Sequence, residues 1–541
     1  MQSRVISLGL FLLAVPVLGT VSGCGGGGNT QNSAVPADIQ AVLNKPMYQG
    51  ATWGLQVVDA DTGRVLVNYD ADKPFYIGSV RKVFSVGQLL NQVGPDHHYD
   101  TPVYRQGNVD NAGVLHGDLI IQASGDLTMG GRTNPDGSVA YTDYDHNEAN
   151  SLGNAVLTQP DPLAGYTTLA AQVAAFGIKE ITGDVAIDDR LFQPFNFRDE
   201  FDVKPIFVND DAIDLTINPG TVGQPASVAW RPHSAAFSVN NLLATGTVGS
   251  DDTLKLDPQE PLCFGSSGCS ASIDGQLPVD FKPPLTNAFP LVQTFRITDP
   301  ASYARTVFIE ALEAAGVKVD APAVEVNPVQ VLPAKDSYVA ADQVAELTGL
   351  TYAQDAKYIL KVSYNIGADT SLVLWGLTEG VNNMADALAA EQTNLADNYG
   401  IPARDYSFVD GSGGGETQAT PEAVTKFLGD MGEKPAFADF HNALPILAKD
   451  GSLGFVTDFQ SDPTLAGATG QVSAKTGTYV VGDSSGLLVK GQAYGGYIHA
   501  KSGRNLIYVL VVNNVQAGSL SDLIQIIQDE GTISAILWRD D

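Results

Sequence analysis

Three short clusters hold residue types that together can carry out acyl transfer: Ser79-Val80-Arg81-Lys82, Ser363-Tyr364-Asn365 and Lys475-Thr476-Gly477. A serine hydroxyl is a poor nucleophile until a base takes its proton. Three residues along a helix bring a side chain back to the same face, one turn on, so Lys82 is placed to serve Ser79. Lys82 must then be neutral for part of the cycle, and burial near a second cation such as Lys475 pushes an ammonium toward the amine. Ser363 is suited to relay that proton to a leaving amine, and Asn365 to hold the lysine and a substrate amide. Lys475 and Thr476 offer a cation and a hydroxyl to a free carboxylate. Gly477 admits a substrate backbone at close range. The backbone N–H of Ser79 at a helix start and that of Thr478 on a strand would form an oxyanion hole, in which one donor is worth about 3 kcal/mol of barrier. Each cluster alone is weak, since S-x-x-K recurs by chance in 541 residues and Ser238-Val239-Asn240 is a second S-x-N.

The elements around the clusters give them meaning. Trp53, Leu55 and Val57, then Asp61-Thr62-Gly63, then Val65, Val67 and Tyr69 alternate on both sides of a turn signal, which predicts a β-hairpin. From Ser79 onward, Val80, Val83, Phe84, Leu89, Leu90 and Val93 recur at helical spacing until Gly94-Pro95, so Ser79 opens a buried helix. Residues 106–290 are rich in Gly, Pro, Asp and Thr with short apolar runs, and predict a mainly β insertion of one or two subdomains. Helical periodicity returns at 301–315 and again from Asp369 through Tyr399. A strand pair at 493–500 and 505–514, joined at Lys501-Ser502-Gly503-Arg504, and a helix at about 520–538 close the chain. The expectation is a mixed α/β fold in which residues 37–105 and 291–541 form one domain, with an antiparallel sheet flanked by helices and the insertion between its halves. Ser238 sits in an alternating stretch of the insertion. Ser363 falls between two helical patterns, where a connecting loop can project side chains into a cleft.

Composition narrows the partners. Asp and Glu number 61 against 30 Lys and Arg, for a formal net charge of −31, and such a chain repels a phosphate backbone, which argues against nucleic acid. Arg4 precedes an apolar run, Val5 to Val21, that fits a signal peptide and ends in Val21-Ser22-Gly23-Cys24. Those small residues before a cysteine resemble a bacterial lipobox, which makes residues 1–24 a lipoprotein signal with lipid on Cys24; an ordinary secretory signal is the alternative. Residues 25–36 follow as a flexible tether. An exported, envelope-bound protein contacts the membrane through that lipid alone. Of three cysteines, removing Cys24 leaves Cys263 and Cys269, an even pair that an oxidising compartment joins as a disulfide. Two cysteines supply half a zinc shell, and none of the seven histidines lies at ligand spacing from them. No metal and no cofactor is expected.

The three clusters, in this order, match the S-x-x-K, S-x-N and K-T-G set of β-lactamases and penicillin-binding proteins. Over most of residues 45–515 the chain resembles the class C low-molecular-mass penicillin-binding proteins, D-alanyl-D-alanine carboxypeptidases and endopeptidases with a large insertion after S-x-x-K. The matching blocks are Gly94-Pro95-Asp96, Leu115-His116-Gly117-Asp118-Leu119 with Ser124-Gly125-Asp126, Gly183-Asp184 with Asp188 and Phe192, Asp410-Gly411-Ser412-Gly413, and Thr420-Pro421. The 284 residues from Ser79 to Ser363 (363 minus 79) fit that family's inserted domains and exceed a compact β-lactamase. The resemblance implies a Ser79 acyl-enzyme formed with the D-alanine ends of peptidoglycan stem peptides and with β-lactam antibiotics. It also implies that Asp188 reaches the cleft to bind an amine of the peptide side chain; the alternative is a strand-end aspartate in a turn. Where the family usually carries an arginine after Asp-Gly-Ser-Gly, Glu416 stands, and an acidic residue there would repel a side-chain carboxylate. Two other readings use the same residues: a non-catalytic wall-binding lipoprotein, and a β-lactamase or esterase.

Overall fold

The protein is described by a computed structural model covering residues 35–483 and 486–541; the proposed signal, Cys24 and most of the tether lie outside the described residues. The central antiparallel sheet runs in the order Val65–Tyr69, Thr52–Asp59, Asn505–Asn513, Gly486–His499, Val472–Asp483, with the short strand Val515–Ala517 added beside Gly486–His499. The first two strands form the expected hairpin, pairing Leu55 with Tyr69 and Val57 with Val67. Its turn closes on Asp59, whose carboxylate accepts hydrogen bonds from the Thr62 N–H and hydroxyl at 2.9 and 2.7 Å. The last two long strands meet at the predicted Lys501–Arg504 turn.

Both faces of this sheet are covered, which explains why its central strand reads Leu-Ile-Tyr-Val-Leu-Val-Val without polar alternation. Side chains point alternately to opposite faces. Ile507, Val509 and Val511 enter one core, with the helices Lys82–Val93 and Pro421–Gly432. Leu506, Tyr508, Leu510 and Val512 enter another, under the C-terminal helix Leu520–Asp540. The region expected as one helix through Tyr399 is two, Asn365–Thr378 and Met384–Tyr399, separated where Gly380 takes φ +82° and Asn383 caps the second through the Asp386 N–H.

The inserted residues build their own core around a second sheet, ordered Lys318–Val319, Glu180–Ile181, Val114–Gln122, Thr101–Val109, Gln343–Leu347. Helices Ala164–Phe176 and Pro300–Ala314 pack on it. That core gathers side chains from Val103 to Leu347, so the segment 291–347, grouped from the sequence with the central-sheet domain, packs with the insertion instead. Periodicity marks a helix but does not reveal which sheet it will cover. Cys263 and Cys269 are joined within the insertion. Among the described residues no helix is long and apolar enough to cross a membrane.

Candidate active site

Ser79 stands in a helical turn, Gly78–Arg81, that runs directly into the buried helix Lys82–Val93. The turn is wedged between two backbones, and glycines make room for it. A Cβ on Gly477 would lie 1.9 Å from the Ile77 carbonyl oxygen and 2.9 Å from Ser79 N. One on Gly413 would lie 2.1 Å from the Gly78 oxygen. Gly477 therefore admits the turn that carries Ser79, where the sequence suggested a substrate backbone. A Cβ on Gly78 would sit 2.6 Å from Thr478 N, so the turn that carries Ser79 packs closely against the backbone of Thr478.

Helical spacing delivers Lys82 as expected. Its Nζ lies 2.6 Å from Ser79 Oγ, 2.6 Å from Asn365 Oδ1 and 2.9 Å from the Ser412 carbonyl. None of these partners is anionic. Burial, with the Arg198 guanidinium adding to it against the opposing Asp369, Asp410 and Glu148 carboxylates, pulls the Lys82 ammonium down to about 7. The Ser412 carbonyl is held by a loop folded round Asp410, whose carboxylate accepts the N–H groups of Ser412, Gly413 and Gly414. Asp369 accepts the N–H of Gly411 at 2.9 Å.

Ser363 caps the C-terminus of the helix Tyr352–Val362 in left-handed conformation, φ +64°. For a residue with a Cβ that geometry is costly and concentrates at functional positions. Two residues on, Asn365 begins the next helix. The short break throws the Ser363 hydroxyl against Lys475 Nζ, 3.0 Å away, while Asn365 faces Lys82. Lys475 is fully buried on strand Val472–Asp483 and also donates to the Thr476 carbonyl at 2.7 Å. Burial, then the nearby Lys82, drives its ammonium well below the usual lysine range. The structure thus brings Ser79, Lys82, Ser363, Asn365 and Lys475 into one cluster, at the floor of a cavity of about 300 Å3 lined by Ser79, Ser363, Asn365, Thr476 and Thr478.

A family model for the D-Ala-D-Ala carboxypeptidase 3 (S13) family matches residues 35–529. The chain belongs to that family. This S13 chain is a serine-type peptidase of the cell envelope by that membership. It is 25% identical over 536 residues to a D-alanyl-D-alanine carboxypeptidase of Actinomadura sp. (strain R39), covering 94% of this chain and 86% of that protein. It is similar in fold to penicillin binding protein 4 of Haemophilus influenzae, with a TM-score of 0.68 at 16% identity over 93% of this chain and 100% of that one. The same protein complexed with a β-lactam gives a TM-score of 0.65 at 17% identity over the same shares.

In this S13 chain the cavity is also lined by residues that no short motif announced. The insertion contributes Asp143–Asp145, Asn147, Glu148 and Arg198 to the cavity wall, and the C-terminal helix closes it with Leu520, Leu523, Ile524 and Ile527. Ser452 shares a 2.7 Å hydrogen bond with the Thr476 hydroxyl. Thr478 donates its hydroxyl to Gln492 at 2.6 Å. Asp188 ends the buried strand Val185–Asp188 outside this lining, taken up by Arg190 through two 2.7 Å bonds and by the Tyr338 hydroxyl at 2.7 Å. Glu416 is likewise engaged away from the cavity, accepting from the Tyr76 hydroxyl and, at 3.0 Å, from Lys490. The cation in the wall is Arg198. Ser238 lies on a strand of the insertion, away from the site. Among the described residues no group of three or more His, Cys, Asp or Glu is arranged to hold a metal ion.

Proposed function

We propose that Ser79 forms an acyl-enzyme with D-alanyl-D-alanine ends of peptidoglycan stem peptides, and that β-lactams acylate the same hydroxyl. The observation that carries the reading is Lys82: a buried lysine, 2.6 Å from Ser79 Oγ, bonded only to neutral groups and held near 7. An amine with that environment accepts the serine proton near neutral pH. Ser79 Oγ then attacks the carbonyl of the penultimate D-alanine, and the developing oxyanion takes the N–H groups of Ser79 and Thr478. As the C–N bond breaks, Ser363, which lines the cavity beside Lys475, relays the proton taken by Lys82 to the departing D-alanine amine. Lys475 and Thr476, with Ser452 orienting the threonine hydroxyl, attract the terminal carboxylate. Water then hydrolyses the ester by the reverse proton path.

Intact-mass analysis with a fluorescent penicillin tests this, beside release of D-alanine from a D-Ala-D-Ala peptide. One adduct per chain is expected, and none on Ser79→Ala. An adduct on Ser79→Ala, or D-alanine release by it at the native rate, would sink the assignment.

We further propose that residues 1–24 are a lipoprotein signal, that Cys24 carries lipid, and that residues 25–36 tether the enzyme to the membrane in the periplasm. The Val-Ser-Gly-Cys sequence after an apolar run supports this. Cys24→Ser should move the enzyme from the membrane fraction to the soluble one; unchanged membrane retention would refute lipid anchoring.

A further inference from the structure

The insertion sends a carboxylate into the cluster. Glu148 ends the short turn His146–Glu148, and its Oε1 accepts a hydrogen bond from Asn365 Nδ2. The other end of the same amide, Asn365 Oδ1, accepts from Lys82 Nζ at 2.6 Å. A primary amide has two unlike ends. Flipped, it would set its oxygen against a carboxylate, a repulsive contact, and its NH2 against the lysine, a second repulsive contact whenever Lys82 is an ammonium. Glu148 therefore removes the wrong orientation.

The turn bearing Glu148 is firmly held. The Asp145 carboxylate accepts the His146 N–H at 2.9 Å and two bonds from Arg132 at 2.7 and 3.0 Å. The buried His146 ring is clasped between Asp210, 2.8 Å from Nε2, and Asp214. Asn147 donates to the Tyr358 hydroxyl at 2.7 Å, on the helix that ends in Ser363. Against this support the Glu148 side chain stays 28% exposed, in the cavity wall beside Arg198, 3.8 Å away.

We propose that Glu148 is a positioning residue for acylation, holding the Asn365 amide so that its oxygen, and not its NH2, faces Lys82. The inference rests on the reading of Lys82 and Ser79 given above, and it makes the insertion part of the catalytic apparatus. The charged groups facing Lys82 are Arg198 and Lys475 on one side of the balance, and Glu148, Asp369 and Asp410 on the other. Removing the Glu148 charge therefore favours the neutral amine.

Single-turnover acylation by fluorescent penicillin, measured across pH with thermal melts, tests this on the native enzyme and on Glu148→Gln, Glu148→Leu, Asn365→Ala and the Glu148→Leu/Asn365→Ala double variant. Glu148→Leu loses a hydrogen bond to a charged group and should slow acylation by about 10- to 100-fold. Glu148→Gln keeps an acceptor but can turn its own amide to suit a flipped Asn365, so it should slow acylation by less than the leucine does, with its acid limb at lower pH. In the Asn365→Ala background the leucine should cost nothing further, because the two act through one contact. Native-rate acylation by Glu148→Leu, or an equal loss in both backgrounds, overturns the proposal. If the leucine variant does not fold, an unmoved acid limb in Glu148→Gln overturns it. A native enzyme that takes no label, or a Ser79→Ala variant that does, defeats the underlying site reading and this inference with it.

Discussion

Replacing Gly477 by alanine should cripple acylation while leaving every reactive side chain in place. The new Cβ would lie 1.9 Å from the Ile77 oxygen, 2.8 Å from Val80 N and 2.9 Å from Ser79 N, all backbone atoms that no rotamer change can move. Reaching even a 3.0 Å separation from the Ile77 oxygen takes a shift of 1.1 Å (3.0 minus 1.9). The strand cannot retreat, since Lys475, Thr476, Gly477 and Thr478 are paired in register with Gly495, Tyr494, Ala493 and Gln492. The serine turn has little room to retreat either, because it also packs against Gly413, where even a Cβ would lie 2.1 Å from the Gly78 oxygen. The displacement must therefore fall between Ser79 and Thr478, the two proposed oxyanion donors. A misplacement of 1 Å costs about 100-fold in rate, and losing one oxyanion donor about 100- to 1000-fold. Single-turnover labelling with fluorescent penicillin should show a fall of that size. The reasoning is refuted by a variant that melts as the native enzyme does and acylates at the native rate.

Other outcomes follow from the same geometry. Since Lys82 must be neutral to accept the proton and is held at about 7, acylation should rise with pH through about 7 and then level, whereas Lys82→Arg, always protonated, should be slow at every pH; a rate that falls across that range contradicts the base assignment. Arg81, fully buried inside the first cluster, pairs with Glu391 and lies 4.1 Å over the Phe408 ring. Arg81→Met strands the glutamate and should cost about 3–5 kcal/mol in urea unfolding, part of which Glu391→Gln should restore in the double variant; an additive loss argues against the pair. Burial pulls the His146 imidazole down, but the Asp214 and Asp210 carboxylates outweigh it and hold it up at about 9. A folded value above the unfolded one gives stability that is complete below about pH 6.5 and lost as pH rises through about 9, on the order of 3 kcal/mol in all. Urea midpoints across that window should fall for the native enzyme and stay flatter for His146→Gln.

The candidate reactive set was legible in the chain because the pairs within it are local in sequence. Ser79 and Lys82 need only one helical turn, and Ser363 and Asn365 need only a break between two helices, so spacing alone placed each pair. The sheet hairpins were legible for a similar reason: alternation and turn residues are local signals. The partners of each pair were not written in any window. Lys475 meets Ser363 across 112 residues, and Glu148 meets Asn365 across 217, through packing of two separate cores. Asp188 shows the same limit from the other side. Its type and block suggested a ligand for the substrate, yet Arg190 and Tyr338, one of them 150 residues away, decide where its charge is spent. Gly477 shows it again, for the sequence called for a small residue, and the fold determined that the turn carrying Ser79 would fill the space. Residue type and near spacing fix what chemistry a segment can perform. Which groups share that chemistry, and with what charge, depends on burial and on contacts that form when distant strands and helices close over one another.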